Sequence, residues 1–269
     1  KAGGGLPTGE LGRIGLAYSP SNPSILYAQV EGPESKGGLY RSADNGVTWE
    51  KRNSFDQQGQ YYSKVVVDPH SAGRVYIMNV NIQVSDDGGR TLASLPTRDK
   101  HVDNHDIWVD PKQPDHYRVA CDGGVYESYD RAANWEFKAN LPIAQLYDIG
   151  LDDATPFYNV YGGTQDNGSF GCASRTKTTA GVTNSDCFVT NGGDGFYTKA
   201  DPKDLNTVYA SSQHAGIVRF DRRTGERVSI QPQPAKGDAP MRWNWDAPYF
   251  ISPHSNTRLY IGSQRLFRS

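Results

Sequence analysis

No stretch of the 269-residue chain approaches the roughly 18 consecutive apolar residues of a membrane-spanning helix, and no signal-peptide core is present. Sustained 3.6-residue apolar periodicity is missing too, which argues against long helices. Neither sign of charge is in excess: 28 Lys and Arg against 30 Asp and Glu leave a net charge of −2. Neither a nucleic-acid partner nor membrane insertion is therefore expected. Cysteine is scarce, at three residues. A Gly-x-Ser-x-Gly elbow, a Walker loop, His-Glu-x-x-His and Cys-x-x-Cys are all absent. That removes the common serine-hydrolase, nucleotide, zinc-protease and dithiol sites, and no cofactor is expected.

What is present is glycine (29), tyrosine (16) and proline (16), a mixture that suits many short strands joined by turns. One phrase repeats. Ser42-Ala-Asp44-Asn-Gly46-Val-Thr48-Trp49 returns as Ser85-Asp-Asp87-Gly-Gly89-Arg-Thr91-Leu92 and as Ser128-Tyr-Asp130-Arg-Ala132-Ala-Asn134-Trp135, 43 residues apart each time. A fixed period in this range means stacked copies of one supersecondary unit. Each copy reads as a β-hairpin: Asp accepts hydrogen bonds from turn amides, Gly takes the positive φ, and Trp folds back as an apolar plug. This pattern resembles the Asp-box of sialidases, xyloglucanase-type glycosidases and sortilin-type receptors. There it is a staple of the fold, so Asp44, Asp87 and Asp130 are expected to be structural.

A second repeat runs between these turns. Ser19-Pro20, Asp68-Pro69, Asp110-Pro111, Asp152 with Pro156, Asp201-Pro202 and Ser252-Pro253 each join two short strands, at spacings of 42 to 51 residues. That is the length of a four-stranded propeller blade. The expected fold is all-β: a single β-propeller over 1–269, of about six four-stranded blades with Asp-box hairpins. In the fifth blade Phe220-Asp-Arg-Arg-Thr-Gly225-Glu replaces the box. The last blade is expected to be incomplete, because Arg268-Ser269 corresponds to the entry of the first box, and the chain reads as a trimmed piece of a longer protein. An insertion at about 171–190 is bracketed by Cys172 and Cys187, which are expected to form a disulfide; Cys121 is left as a free thiol. The pairing favours an exported protein, extracellular or periplasmic.

The innermost strand of each blade lines the axis, so its entry end faces the channel mouth. Seven residues before each Ser/Asp-Pro turn stand Gly12, Tyr61, Asp103, Gln145, Asp194 and Trp245; two further on come His105, Tyr147 and Phe196. The second strands return Glu31, Asp122, Gln165-Asp166-Asn167 and His214 to the same end. Rings that stack and amides or carboxylates that bond hydroxyls suit a glycan, and they also suit a peptide. The expected ligand-binding set is Tyr61, Asp103, His105, Gln145, Gln165, Asp166, Asn167, Asp194 and Trp245. In Gly162-Gly-Thr-Gln165-Asp166-Asn167-Gly168-Ser169 and Asn191-Gly-Gly193-Asp194-Gly195-Phe196, glycine permits close backbone approach to a ligand. His101-Val-Asp103-Asn-His105 alternates as in a strand, which would put three side chains on one face, either as a hydrogen-bonded chain or as weak metal ligands. The metal-free form is favoured, since no fourth ligand is evident.

Gly37-Gly-Leu-Tyr-Arg-Ser-Ala-Asp-Asn-Gly, Asp122-Gly-Gly-Val-Tyr, Gln165-Asp-Asn-Gly-Ser and Gly192-Gly-Asp-Gly-Phe extend the resemblance to exported Asp-box (BNR) repeat propellers of sortilin-like and xyloglucanase-like type along the whole chain. The xyloglucanase resemblance implies a catalytic acid near Glu31, with Glu here in place of Asp and an insertion before Gly37. It also implies a second acid from a second propeller, whereas inverting chemistry needs two carboxyls about 6.5–9.5 Å apart. The principal expectation is a binding or scaffold propeller whose mouth holds a glycan or peptide. A glycoside hydrolase is the alternative, with Glu31, Asp103, Asp166 and Asp194 as candidate acids and Trp245 or Tyr61 as sugar platform. A structural subunit of an extracellular assembly, holding protein partners through its blade edges, is the third.

Overall fold

A computed structural model describes residues 4–33, 36–55, 61–62, 64–141 and 143–269. They form six antiparallel sheets in two compact units, 1–141 and 142–269. In the first unit, sheet one is β1 (Ile14–Ser19), β2 (Asn22–Val30), β3 (Gly38–Ser42) and β4 (Glu50–Asn53). Sheet two is β5 (Val65–Val67), β6 (Val75–Ile77), β7 (Gln83–Ser85) and β8 (Ala93–Ser94). Sheet three is β9 (Asn104–Val109), β10 (Tyr117–Cys121), β11 (Gly124–Ser128) and β12 (Glu136–Phe137).

In the second unit, sheet four is β13 (Leu146–Leu151), β14 (Asn159–Thr164), β15 (Gly168–Ala173) and β16 (Cys187–Asn191). Sheet five is β17 (Thr198–Ala200), β18 (Thr207–Ala210), β19 (Val218–Asp221) and β20 (Arg227–Ser229). Sheet six has three strands, β21 (Tyr249–Ser252), β22 (Ser255–Gly262) and β23 (Leu266–Arg268). Strands pair in sequence order in every sheet, which is the meander of a propeller blade. The fold is all-β and of β-propeller class.

Two polar devices repeat in the blades. At the Asp-Pro turns a carboxylate accepts the backbone N–H two residues on: Asp68 from His70 at 2.8 Å, Asp110 from Lys112 at 2.7 Å, Asp152 from Ala154 at 3.1 Å and Asp201 from Lys203 at 2.8 Å. The other oxygen can then hold a tyrosine of the second strand, as when Tyr76 and Tyr161 donate to Asp68 and Asp152 at 2.9 Å. Tyr27, Tyr76, Tyr117 and Tyr161 are fully buried at equivalent places. Burial raises the Tyr76 and Tyr161 hydroxyls well above the ordinary phenol range, so both act as donors.

The Ser-x-Asp turns use a second set of bonds. Ser42 donates to Asp44 at 2.8 Å and accepts from Gly46 N–H at 2.8 Å, while Asp44 accepts from the Thr48 N–H and hydroxyl. Ser85, Asp87, Gly89 and Thr91 repeat the set, and so do Ser128, Asp130, Ala132 and Asn134. Gly46 and Gly89 sit at φ 85° and 88°; Ala132 takes the same left-handed place at 71°, where an L side chain is strained. The residue after each turn then packs inward. Leu92 joins the cluster of Tyr27, Leu39, Val65, Val75 and Ile77, and Trp135 joins that of Tyr76, Ile107, Tyr117 and Val119.

Cys172 and Cys187 are bonded and are register partners of β15 and β16, so these two strands reach into the 171–190 region and the interruption between them is 174–186. Cys121 is free and half-buried at the end of β10. In the fifth sheet, the turn after Asp221 is held by Arg223, whose guanidinium donates to both Asp221 oxygens at 3.0 Å.

Candidate functional site

In the first unit, the ends of β5, β9 and β10 gather Tyr61, Tyr62, Asp103, His105 and Asp122. His105 Nε2 donates to Asp122 Oδ1 at 2.5 Å, and the Tyr61 hydroxyl donates to Asp122 Oδ2 at 3.1 Å. Buried Tyr62 donates to Asp103 Oδ1 at 2.5 Å. Burial, and then this bond, push its hydroxyl far above the usual phenol range. The three rings stack within 6 Å of one another, Tyr61 edge-on to both and Tyr62 parallel to His105.

This geometry corrects the reading of His101, Asp103 and His105 as one strand face. Strand β9 begins only at Asn104, and Asp103 has φ 59°, a left-handed conformation that breaks the two-residue alternation. The buried Asn104 amide imposes the break by donating to the Asn79 and Val80 carbonyls, while Asp103 N–H donates to Val80 O. His101 packs on Gly123 and bonds the Val102 carbonyl; His105 pairs with Asp122 instead of Asp103. The Glu31 carboxylate accepts Arg13 N–H at 3.0 Å and lies over Gly12, where a Cβ would meet it at 2.2 Å.

In the second unit, Asp194 is the hub. It is 5% exposed; Oδ1 accepts Asp166 N–H at 2.8 Å and Oδ2 accepts the Trp245 indole N–H at 3.1 Å. One carboxylate thereby ties the loops of sheets four, five and six. Glycine makes this approach possible, since a Cβ on Gly195 would stand 2.3 Å from the Gly168 carbonyl. The His214 ring meets Trp245 edge-on at 4.9 Å, and His214 N–H donates to Trp245 O at 3.1 Å. Asp166 and His214 are left-handed at φ 60° and 54°, a local strain of the kind that clusters at functional sites. Trp245 itself stays 51% exposed, with its indole N–H held by Asp194. Gln165 and Asn167 lie on the Asp166 turn, and Gln145 is exposed ahead of β13.

Next to Trp245 stands an acid that the residue count passed over. Asp246 Oδ1 and Asp148 Oδ2 are both buried oxygens that lack a hydrogen-bond partner. Lys199 Nζ approaches Asp148 Oδ2 to 3.8 Å, near enough for an ion pair but too long for a hydrogen bond. Burial, and then the charge of Asp148, raise the Asp246 carboxyl above its ordinary range. Asp246 and Asp148 stand six and four residues before their turns, positions that counting back seven and five does not sample.

Blade-type sheets carrying fixed aromatic rings and carboxylates define a β-propeller with candidate ligand-facing loops. The chain is 31% identical over 153 residues, 48% of its length, to a xyloglucanase of Acetivibrio thermocellus. It is 26% identical over 196 residues, 58% of its length, to a xyloglucanase of Hypocrea jecorina. These matches span only 16% and 23% of the respective relatives. Among solved structures, the GH74 enzyme of Niastella koreensis superposes over 94% of this chain and 44% of its own, at 15% identity and a TM-score of 0.39. No family model matches. No described helix is long and apolar enough to cross a membrane.

Proposed function

We propose that this chain is a glycan-acting propeller of glycoside-hydrolase type, a reading the relatives favour over binding alone. The observation that carries it is the Trp245-Asp246 segment. An exposed indole, locked by Asp194 and His214, offers a flat face to a sugar ring. The next residue is a carboxylic acid whose raised pKa suits proton donation to a leaving-group oxygen. Asp148 is the second carboxylate of the pair, and Asp194 positions the platform. Glu31, Asp103, Asp166 and Asp194 were the acids expected from the sequence. Of these, Asp194 accepts with both oxygens, from the Asp166 N–H and the Trp245 indole, and Glu31 accepts the Arg13 N–H with one; such bonds suit bracing.

The ligand class is a polysaccharide, met in an exported setting, and xyloglucan is the first substrate to try. The Ser-x-Asp turns act as Asp-box staples and take no part in the chemistry. Reducing-sugar release from a panel of β-glucans tests the reading, with Asp246→Asn and Trp245→Ala beside the unaltered chain. Asp246→Asn should abolish turnover while leaving binding intact. Trp245→Ala should weaken binding by about 1–3 kcal/mol, or roughly 5- to 150-fold. Binding by the unaltered chain with no turnover of any glycan would return the chain to the binding class.

A further inference from the structure

The proposed hydrolase chemistry makes no use of the cluster of Tyr61, Tyr62, Asp103, His105 and Asp122, which lies wholly in the first unit. Its backbone is pinned at Asp103, whose N–H donates to Val80 O at 3.0 Å and whose carbonyl accepts Asp122 N–H at 3.1 Å. Tyr62 bonds only Oδ1 of the left-handed Asp103. Among the described residues Asp103 Oδ2 accepts no hydrogen bond, and Asp103 forms no ion pair with lysine or arginine. Lys64 pairs with Asp106 at 2.5 Å, and buried Lys100 donates to His101 O and the Asn104 side-chain carbonyl rather than to Asp103. Burial, then the Asp103 bond and the charges of Asp103 and Asp122, raise the Tyr62 hydroxyl, so both carboxylates act on one small region. Such a region attracts a cation.

The cluster also carries groups that suit a sugar. Tyr61 is 47% exposed and the His105 side chain 40% exposed, with their ring centroids 5.1 Å apart. His105 Nε2 donates to Asp122, which leaves Nδ1 as an acceptor, and Nδ1 meets no donor among the described residues. A neutral sugar would use the tyrosine and this nitrogen but would leave Asp103 Oδ2 without a matching charge.

We propose that this cluster is a second glycan site, selective for a 2-amino-2-deoxy sugar in its ammonium form. The inference rests on the glycan-acting reading above and adds a ligand class to it. The sugar ring lies against Tyr61, its ammonium donates to Asp103 Oδ2, and a neighbouring hydroxyl donates to His105 Nδ1. The charge-assisted bond supplies the selectivity and the tyrosine supplies contact area. Acetylation of the amine removes its charge, so the N-acetyl sugar loses the first contribution and keeps the second.

The test is calorimetric titration of a glucosamine trimer, its N-acetylated counterpart and cellotriose into the chain at pH 6, where the amine is charged. The glucosamine trimer should bind about tenfold more tightly than either neutral trimer, and high salt should erode that margin. Asp103→Asn, which keeps a residue tolerant of the left-handed turn, should reduce the glucosamine trimer to the affinity of the neutral ones. Tyr61→Ala should weaken all three trimers alike, about two- to tenfold. Equal affinity of the three trimers for the unaltered chain would overturn the proposal, and so would a preference that survives Asp103→Asn. A lysine tripeptide that binds as tightly as the glucosamine trimer would overturn the sugar assignment in favour of a basic peptide. Xyloglucan turnover by the same preparation separates the two readings: turnover without amino-sugar preference removes this site alone, whereas no turnover and no glycan bound removes both.

Discussion

At the scale of single residues, the chain separates carboxylates whose pKa is lowered by turn hydrogen bonds from one, Asp246, whose pKa is raised by burial and the charge of Asp148. Hydrogen bonds from Thr48 lower Asp44 to about 2, and bonds from the Thr91 amide and the Ser85 hydroxyl lower Asp87 further still. A depressed folded-state pKa stabilises above the unfolded carboxylate range, and that contribution is lost as pH falls through the folded value. Thermal melts between pH 4 and pH 2 should therefore show a loss of stability that Asp44→Asn reduces. Asp246 has the opposite sign. Its raised pKa costs stability once pH exceeds its ordinary value, so Asp246→Asn should raise the melting temperature at pH 7 and leave it unchanged near pH 3. Ala132→Gly should stabilise by about 0.5–1 kcal/mol in urea titration, since it relieves a left-handed alanine at φ 71°.

At the scale of elements, turn chemistry was legible in the sequence because Asp, Pro and Gly act locally. The Asp-Pro turns, the Ser-x-Asp turns and the polar hairpin after Phe220 all fall where their residues announce them. Side-chain direction was less legible, because it depends on where a strand begins. A single left-handed residue, Asp103, moved His101 and His105 out of the arrangement their spacing suggested. Asp148 and Asp246, which no local pattern marks, stand out only once the burial of their unpartnered oxygens is known. The elements also predict the cost of their staples. Tyr161→Phe removes the donor to Asp152 and should lose about 1–2 kcal/mol by denaturant titration. Replacing Cys172 and Cys187 by serine opens a 15-residue loop and should cost about 3 kcal/mol, with hydrogen exchange rising first in 174–186.

For the molecule as a whole, the repeat period announced the blade architecture, while the chemistry rests on loops that no local pattern ranks. Asp194 illustrates the difference. Its glycine-rich setting marked it as a ligand-facing acid, yet three sheets use it as a tie, and the exposed ring it holds is the better candidate for contact with a ligand. Under the proposed function, recognition lies at Trp245 and proton donation at Asp246. The most direct test is the pH profile of xyloglucan hydrolysis by the unaltered chain and by Asp246→Asn. The account predicts activity that falls as pH rises through the raised Asp246 pKa, and a variant that retains glycan binding with no turnover at any pH. An Asp246→Asn chain that hydrolyses the glycan with an unaltered profile would contradict it.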